Sequence, residues 1–155
     1  MKWTIQELIR LSNTSNTFNG IIDFKDKIDL FDDIYNVSDV NVEGEYEIYD
    51  NQEFVFYMNI KCTLTLSCAI TLKEVIYEID VDVEETFSTY QDNNNHLIEG
   101  ITIDLLPIIW SNIILEKPMR ILSEEAYKNF KETTEKFEED ESANNAFAAL
   151  KQFKN

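Results

Sequence analysis

The chain has 155 residues, 44% of them hydrophobic, with 10 Phe, 7 Tyr and 2 Trp and a formal net charge of −17. That apolar content excludes a disordered chain, and the length suits one domain able to bury about two-thirds of its unfolded surface. The acid excess argues against a protein whose whole surface grips a phosphate backbone, and two cysteines, Cys62 and Cys68, exclude a disulfide scaffold.

The first ten residues lack the apolar run of a signal peptide. The most apolar stretch, Ile103 to Leu115, contains Asp104, Pro107, Ser111 and Asn112 and is too short to cross a bilayer. The expected location is the cytoplasm, with no membrane partner, and the sequons at Asn13 and Asn36 read as chance. Charge is unevenly spread: residues 1–27 sum to +1, residues 28–104 to −16 and residues 105–155 to −2.

In chain order, Thr4-Ile5-Gln6-Glu7 fits a capping box, with Trp3 and Leu8 spaced as a hydrophobic staple, and predicts a helix over about 4–12. Phe18 to Ile34 carries no clear period. From Val40 the period is two: Val40, Val42, Tyr46 and Ile48 oppose Asn41, Glu43, Glu45 and Glu47. Asp50-Asn51-Gln52 reads as a turn. Even positions then carry the apolar residues from Phe54 through Cys68, Ile70 and Leu72, with Thr63, Thr65, Ser67 and Thr71 opposite. At Lys73-Glu74 the parity flips to Val75, Tyr77, Ile79, Val81 and Val83, opposite Glu78, Asp80, Asp82 and Glu84, which marks a turn or bulge.

Gln91 to Asn95 is a polar loop and Leu97 to Ile103 a further short strand. Asp104, Pro107 and the spacing of Leu106, Ile109, Trp110, Ile113 and Ile114 predict a helix stopped by Pro118. Ser123 caps a second helix over about 124–139 with Tyr127, Phe130, Thr134 and Phe137 on its apolar face. After the charged break Glu138–Glu141, the residues Ala146, Phe147, Leu150 and Phe153 form an amphipathic tail expected to pack on the domain. The fold class is α+β: an antiparallel sheet or partly closed barrel, a short N-terminal helix and C-terminal helices. One domain over 1–155 is expected, with the acidic sheet region at about 38–104 and the helical region at about 105–155.

Few residues suggest chemistry. His96, the one histidine, follows three asparagines and reads as a solvated loop residue, and the glycines at 20, 44 and 100 form no phosphate cradle. Cys62 and Cys68, six residues apart on one apparent strand, would lie about 20 Å apart, beyond disulfide or shared-metal reach, and read as core cysteines. The ladders Glu43/Glu45/Glu47 and Asp80/Asp82/Glu84, if on adjacent strands, would form an acidic patch suited to a divalent ion or a Lys/Arg-rich segment; the same charges also keep an exposed sheet from aggregating. No catalytic residue, metal ligand or cofactor is assigned. Three functions stay open on the residues alone: capture of a basic protein, a small-ligand carrier built on Phe54, Phe56, Tyr57 and Met58, and a metal-dependent nuclease using Asp80, Asp82 and Glu84.

Several blocks, in order, resemble the YceD-type large ribosomal RNA subunit accumulation proteins, in their Gram-positive-type members. The opening Lys2-Trp3-Thr4-Ile5-Gln6-Glu7-Leu8 resembles the family's start, and Leu64 to Leu72, with Cys68 and Leu72, is similar to its Cys-x-Arg-x-Leu strand. Ile103-Asp104-Leu105 followed by Leu115-Glu116-Lys117-Pro118 looks like its "Ile-Asp-Leu … Leu-x-x-Pro" block, and Asn145-Ala146-Phe147-Ala148-Ala149-Leu150 its closing Asn-Pro-Phe-x-x-Leu motif. The chain departs from the pattern at Ile70, where the family usually has Arg, at Trp110, where an acidic residue is common, and at Ala146, where the closing Pro falls. It also lacks cysteines beyond Cys68, so no metal site of theirs is carried over.

The family-motif positions are thus Trp3, Cys68, Leu72, Asp104, Leu115, Pro118, Phe147 and Leu150. The resemblance implies a non-catalytic role in accumulating or processing large-subunit ribosomal RNA. With −16 across the sheet region, the expected partner is a basic ribosomal or rRNA-processing protein, held by Glu43, Glu45, Glu47, Asp80, Asp82 and Glu84. Any rRNA contact, direct or indirect, is expected at the ends, through Lys2, Arg10, Lys25 and Lys27 or through Lys117, Arg120, Lys151 and Lys154.

Overall fold

A computed structural model describes residues 1–129, 131 and 132. Phe130, Thr134, Phe137, the break at Glu138–Glu141 and the tail with Ala146, Phe147, Leu150, Lys151, Phe153 and Lys154 lie outside the described residues. The described residues form two compact units, Met1–Leu66 with Ile76–Met119, and Ser67–Val75 with the described residues from Arg120 onward.

In the first unit, β1 (Lys2–Thr4) leads into α1 (Ile5–Ser12), and the capping box is complete. The Glu7 amide donates to Thr4 Oγ1 at 3.1 Å while the Thr4 amide donates to Glu7 Oε2 at 2.9 Å. The stretch without a clear period becomes β2 (Thr17–Ile22), a 3₁₀ turn (Lys25–Leu30) and β3 (Ile34–Val37). Three long strands follow, β4 (Val40–Tyr49), β5 (Glu53–Ser67) and β6 (Glu74–Ser88). Two short ones, β7 (His96–Leu97) and β8 (Thr102–Asp104), precede α2 (Leu106–Glu116).

The large sheet runs β2-β4-β5-β6-β7, with β3 beside β5, and is open rather than closed into a barrel. β4 and β3 share one edge of β5: β4 pairs from Asn41↔Lys61 to Tyr49↔Glu53, and β3 from Ile34↔Leu66 to Val37↔Leu64. Ser38 joins the two segments, its amide donating to the Thr63 carbonyl at 2.9 Å and its hydroxyl accepting from the Thr63 amide at 2.8 Å. Pairing is antiparallel except at the last edge, where β7 lies parallel to β6. Asp50 (φ 53°) and Asn51 (φ 54°) make the β4–β5 turn, a left-handed pair that Asp and Asn tolerate. A Cβ at Gly44 would sit 2.1 Å from the Tyr57 carbonyl, so the close approach of β4 to β5 there requires glycine.

The even-numbered residues of β5 from Phe54 to Leu66 are all buried. With them are buried Leu8 of α1, Ile109, Trp110 and Ile113 of α2, and Ile103 and Leu105. Phe56 lies at the centre of an aromatic cluster, its ring 6.2 Å from Trp3, 5.9 Å from Phe18, 5.8 Å from Tyr46 and 5.6 Å from Phe87. A second cluster joins Trp110 to Phe24 and Phe31.

Three expectations are corrected. The strand through Cys68 ends at Ser67; a turn follows in which the Leu72 amide donates to the Cys68 carbonyl at 3.0 Å with Leu72 at φ 61°. Ile70 and Leu72 are therefore exposed, because the change of parity is taken up by a full reversal of the chain rather than a bulge. The strand expected over Leu97–Ile103 is two strands, β7 and β8, separated at Gly100, whose φ of 74° breaks the extended run. The residues expected to line a ligand pocket do not converge: Phe54, Phe56 and Met58 are packed in the core, and Tyr57 points to the opposite face.

In the second unit, the Ala69 amide donates to the Ile121 carbonyl at 2.9 Å and Lys73 pairs with Glu125 at 3.0 Å. Ser123 caps the helix that opens at 124, its Oγ accepting from the Ala126 amide at 3.2 Å. Replacing Phe56 by alanine, which removes the ring common to four aromatic contacts, is expected to lower the unfolding free energy by about 3–5 kcal/mol in chemical denaturation; a loss below about 1 kcal/mol would contradict the central position of that ring.

Candidate functional site

The side of β4, β5 and β6 facing away from the core carries the two carboxylate ladders. Glu43, Glu45 and Glu47 are exposed on β4, and Asp80, Asp82 and Glu84 are exposed on β6. The two ladders are not on adjacent strands, because β5 runs between them. The register places Glu43 opposite Asn59 and Glu45 opposite Tyr57. Asn59 Nδ2 reaches the other ladder, donating to Asp80 Oδ1 at 2.8 Å and Asp82 Oδ1 at 2.9 Å. Strand alternation thus collects six carboxylates on one face, with Tyr57, Asn59 and Lys61 as the middle row.

None of the six forms an ion pair among the described residues. Carboxylates two apart on a strand are spaced by ~7 Å, at which like charges repel by roughly 0.6 kcal/mol even in water. Three tyrosines respond to nearby carboxylates. Tyr49 donates to Glu47 Oε2, and that bond with the Glu47 charge pushes its phenol up to about 12. Desolvation and the charges of Glu47, Glu84 and Glu45 raise Tyr57. Tyr90 is raised by its 2.6 Å bond to Glu53. Between the ladders lies a shallow depression of about 440 Å³ lined by Glu45, Tyr57, Asn59, Asp82 and Glu84 together with Met58 and Val83. The described residues hold no group of three or more His, Cys, Asp and Glu side chains placed to bind a metal ion. Asp80 and Asp82 instead share the Asn59 amide.

The basic residues expected at the ends fall on several elements. Lys2, Arg10, Lys25 and Lys27 are exposed on β1, α1 and the 3₁₀ turn. Lys117 is already engaged: Nζ donates to Asp33 Oδ2, and the side chain is only 10% exposed. Arg120 is exposed in the second unit, and Lys151 and Lys154 fall outside the described residues. His96 is corrected from a solvated loop residue to part of a strand: Nε2 lies 2.6 Å from Glu85 Oε2, and the ring packs 4.9 Å from Phe87. Asn112 donates to the other Glu85 oxygen at 2.9 Å, which ties β6, β7 and α2 together.

Several of the described motif positions have structural roles. Trp3 pairs with Ile103 and Lys2 with Asp104 in the two-stranded β1–β8 sheet, which joins the first and third blocks. Asp104 Oδ1 accepts from the Leu106 amide at 3.0 Å, a cap from the residue before the Leu105 N-cap. Pro118 follows the end of α2, Leu115 is 80% exposed, and Leu72 shapes the turn after β5. Phe147 and Leu150 are outside the described residues. Tyr57, Asn59 and Lys61 were missed as members of the acidic face, although their odd parity on a strand with even residues inward was the signal.

The described residues thus present an open α+β sheet with one dry and one strongly acidic face. The family described as "Large ribosomal RNA subunit accumulation protein YceD" matches residues 56–154. A protein of Bacillus subtilis (strain 168) described as "Uncharacterized protein YlbN" is 33% identical over 129 residues, which cover 80% of this chain and 74% of that protein. No solved structure matches the chain. The chain belongs to the YceD family.

Both cysteines are free and buried, with opposite chemistry. Burial pushes the Cys62 thiol up to about 11. Hydrogen bonds from Thr71, through side chain and backbone, bring Cys68 down to about 6, with the Ser123 amide contributing at 3.4 Å. A value lowered on folding adds stability above the unfolded thiol's pKa, and that stability is lost as pH falls through about 6. In a Cys62→Ala background, the ultraviolet absorbance of the Cys68 thiolate is expected to titrate with a midpoint of about 6. A midpoint of about 8.5, that of a free thiol, would contradict this.

Proposed function

We propose that this protein is a non-catalytic factor of ribosome biogenesis. It supports the accumulation or processing of large-subunit ribosomal RNA by holding a basic ribosomal or rRNA-processing protein on the acidic outer face of its sheet. The observation that carries this reading is the two ladders of exposed carboxylates, Glu43, Glu45 and Glu47 on β4 and Asp80, Asp82 and Glu84 on β6, with no ion pair among the described residues. Such a face repels a phosphate backbone and attracts a cationic protein, and the mutual repulsion within it is relieved when cations bind. The family description supplies the ribosomal context. Contact with RNA, where it occurs, belongs to the separate cations Lys2, Arg10, Lys25 and Lys27.

The test is recovery of the tagged protein from cell extract, with and without RNase, at low and at moderate salt. A basic large-subunit protein is expected to remain bound after RNase and to be released by salt, as screening of exposed charges requires. Replacing the six carboxylates by Gln and Asn is expected to reduce that recovery by at least roughly tenfold, a change of about 1.4 kcal/mol. Recovery of ribosomal material only when RNA is intact would overturn the reading.

A further inference from the structure

Among the described residues, β6 has an open edge. It pairs with β5 on one side, while on the other β7 covers only Phe87 and Ser88 and leaves the run from Ile76 to Thr86. No other strand among the described residues pairs with that run. Among the described residues, the backbone N–H and C=O groups of this run that are directed away from β5 are therefore left to a further strand. The inner face shows the same incompleteness. Every even residue of β5 from Phe54 to Leu66 is buried, yet of the inward residues of β6 in this run only Ile79 is, with Tyr77, Val81 and Val83 half-exposed. A strand added here would cover them.

The outer face of the edge selects what can be added. Glu78, Asp80, Asp82 and Glu84 are exposed at a period of two, and none pairs with a cation among the described residues. A second copy of this chain laid against the edge would set carboxylate beside carboxylate, which disfavours self-pairing. A nucleic-acid strand would bring phosphates to the same charges. An extended polypeptide with Lys or Arg at alternate positions and apolar residues between them matches all three features: open backbone groups, outer carboxylates and half-covered inner side chains.

We propose that the β6 edge between Ile76 and Thr86 takes up a basic, extended segment of a partner protein as an added β-strand. This rests on the acidic-face reading and gives it a binding mode. The test titrates isotope-labelled full-length protein with a short peptide of alternating Lys and Val and with two versions carrying backbone N-methyl groups, one at the Lys positions and one at the Val positions. Only one side of an added strand bonds to the edge, so one methylated version is expected to bind about tenfold more weakly than the other. The unmethylated peptide is expected to slow hydrogen exchange of β6 amides between Ile76 and Thr86, and Asp80→Lys with Asp82→Lys to weaken it. Equal binding of the two methylated peptides, no binding of the unmethylated one, or slowed exchange elsewhere with β6 unchanged would overturn strand addition. Charge capture by the face would be unaffected by such a result, because RNase-resistant, salt-sensitive recovery of a basic protein judges it separately.

Discussion

A β-strand turns successive side chains to opposite faces, and β5 holds that alternation for 15 residues, Glu53 to Ser67. On one side it buries an unbroken row from Phe54 to Leu66, and on the other it presents Tyr57, Asn59, Lys61, Thr63 and Thr65. The rest of the first unit is arranged around this strand. β4 and β3 divide one of its edges, β6 takes the other, and the Phe56 ring gathers Trp3, Phe18, Tyr46 and Phe87 beneath it. Because the inner row is dry and, beyond Val55, the outer row is not, a one-residue slip of β5 would bury Asn59 and Lys61 and expose Met58 and Ile60, so the register is fixed by burial.

The acidic face follows from the same rule. Once β4 and β6 take the register of β5, Glu43, Glu45 and Glu47 on one and Asp80, Asp82 and Glu84 on the other have no direction left but outward. Their repulsion is moderated locally by Asn59, which donates to two carboxylates at once, and by Tyr49, which donates to Glu47. Lys117 is held by Asp33, and Lys61 stands at the end of the middle row. The proposed binding draws on this surface, since a cationic partner would gain attraction and relieve repulsion at once.

Much of the frame was legible because it depends on local pattern. The capping box at Thr4 and Glu7, the period-two rows of β4, β5 and β6, the turn at Asp50-Asn51 and the helix after Asp104 all follow from side chains within a few residues of one another. The elements that failed depend on distant partners. β2 and β3 have little pattern of their own and exist because β4 and β5 offer them edges. The end of β5 at Ser67 is set by the turn around Cys68 and Leu72, where apolar Ile70 continued the strand's period without its burial. At the candidate site, the two ladders were visible as sequence, but that β5 separates them, and that Asn59 links to one of them, is a property of strand order. His96 likewise gained its partners only through the pairing of β7 with β6 and the placement of α2.

The central claim is that the outer face of β4 and β6, not the scattered cations, meets the protein's partner. Site-specific photo-crosslinking in living cells tests it most directly, with the crosslinker placed in turn at Glu45, Asp82, Arg10 and Lys25 and the products separated into protein and RNA. Crosslinks from positions 45 and 82 to a basic protein, and none from positions 10 and 25 to that protein, are the expected result. Crosslinks to RNA from positions 10 and 25, with positions 45 and 82 silent, would contradict the account.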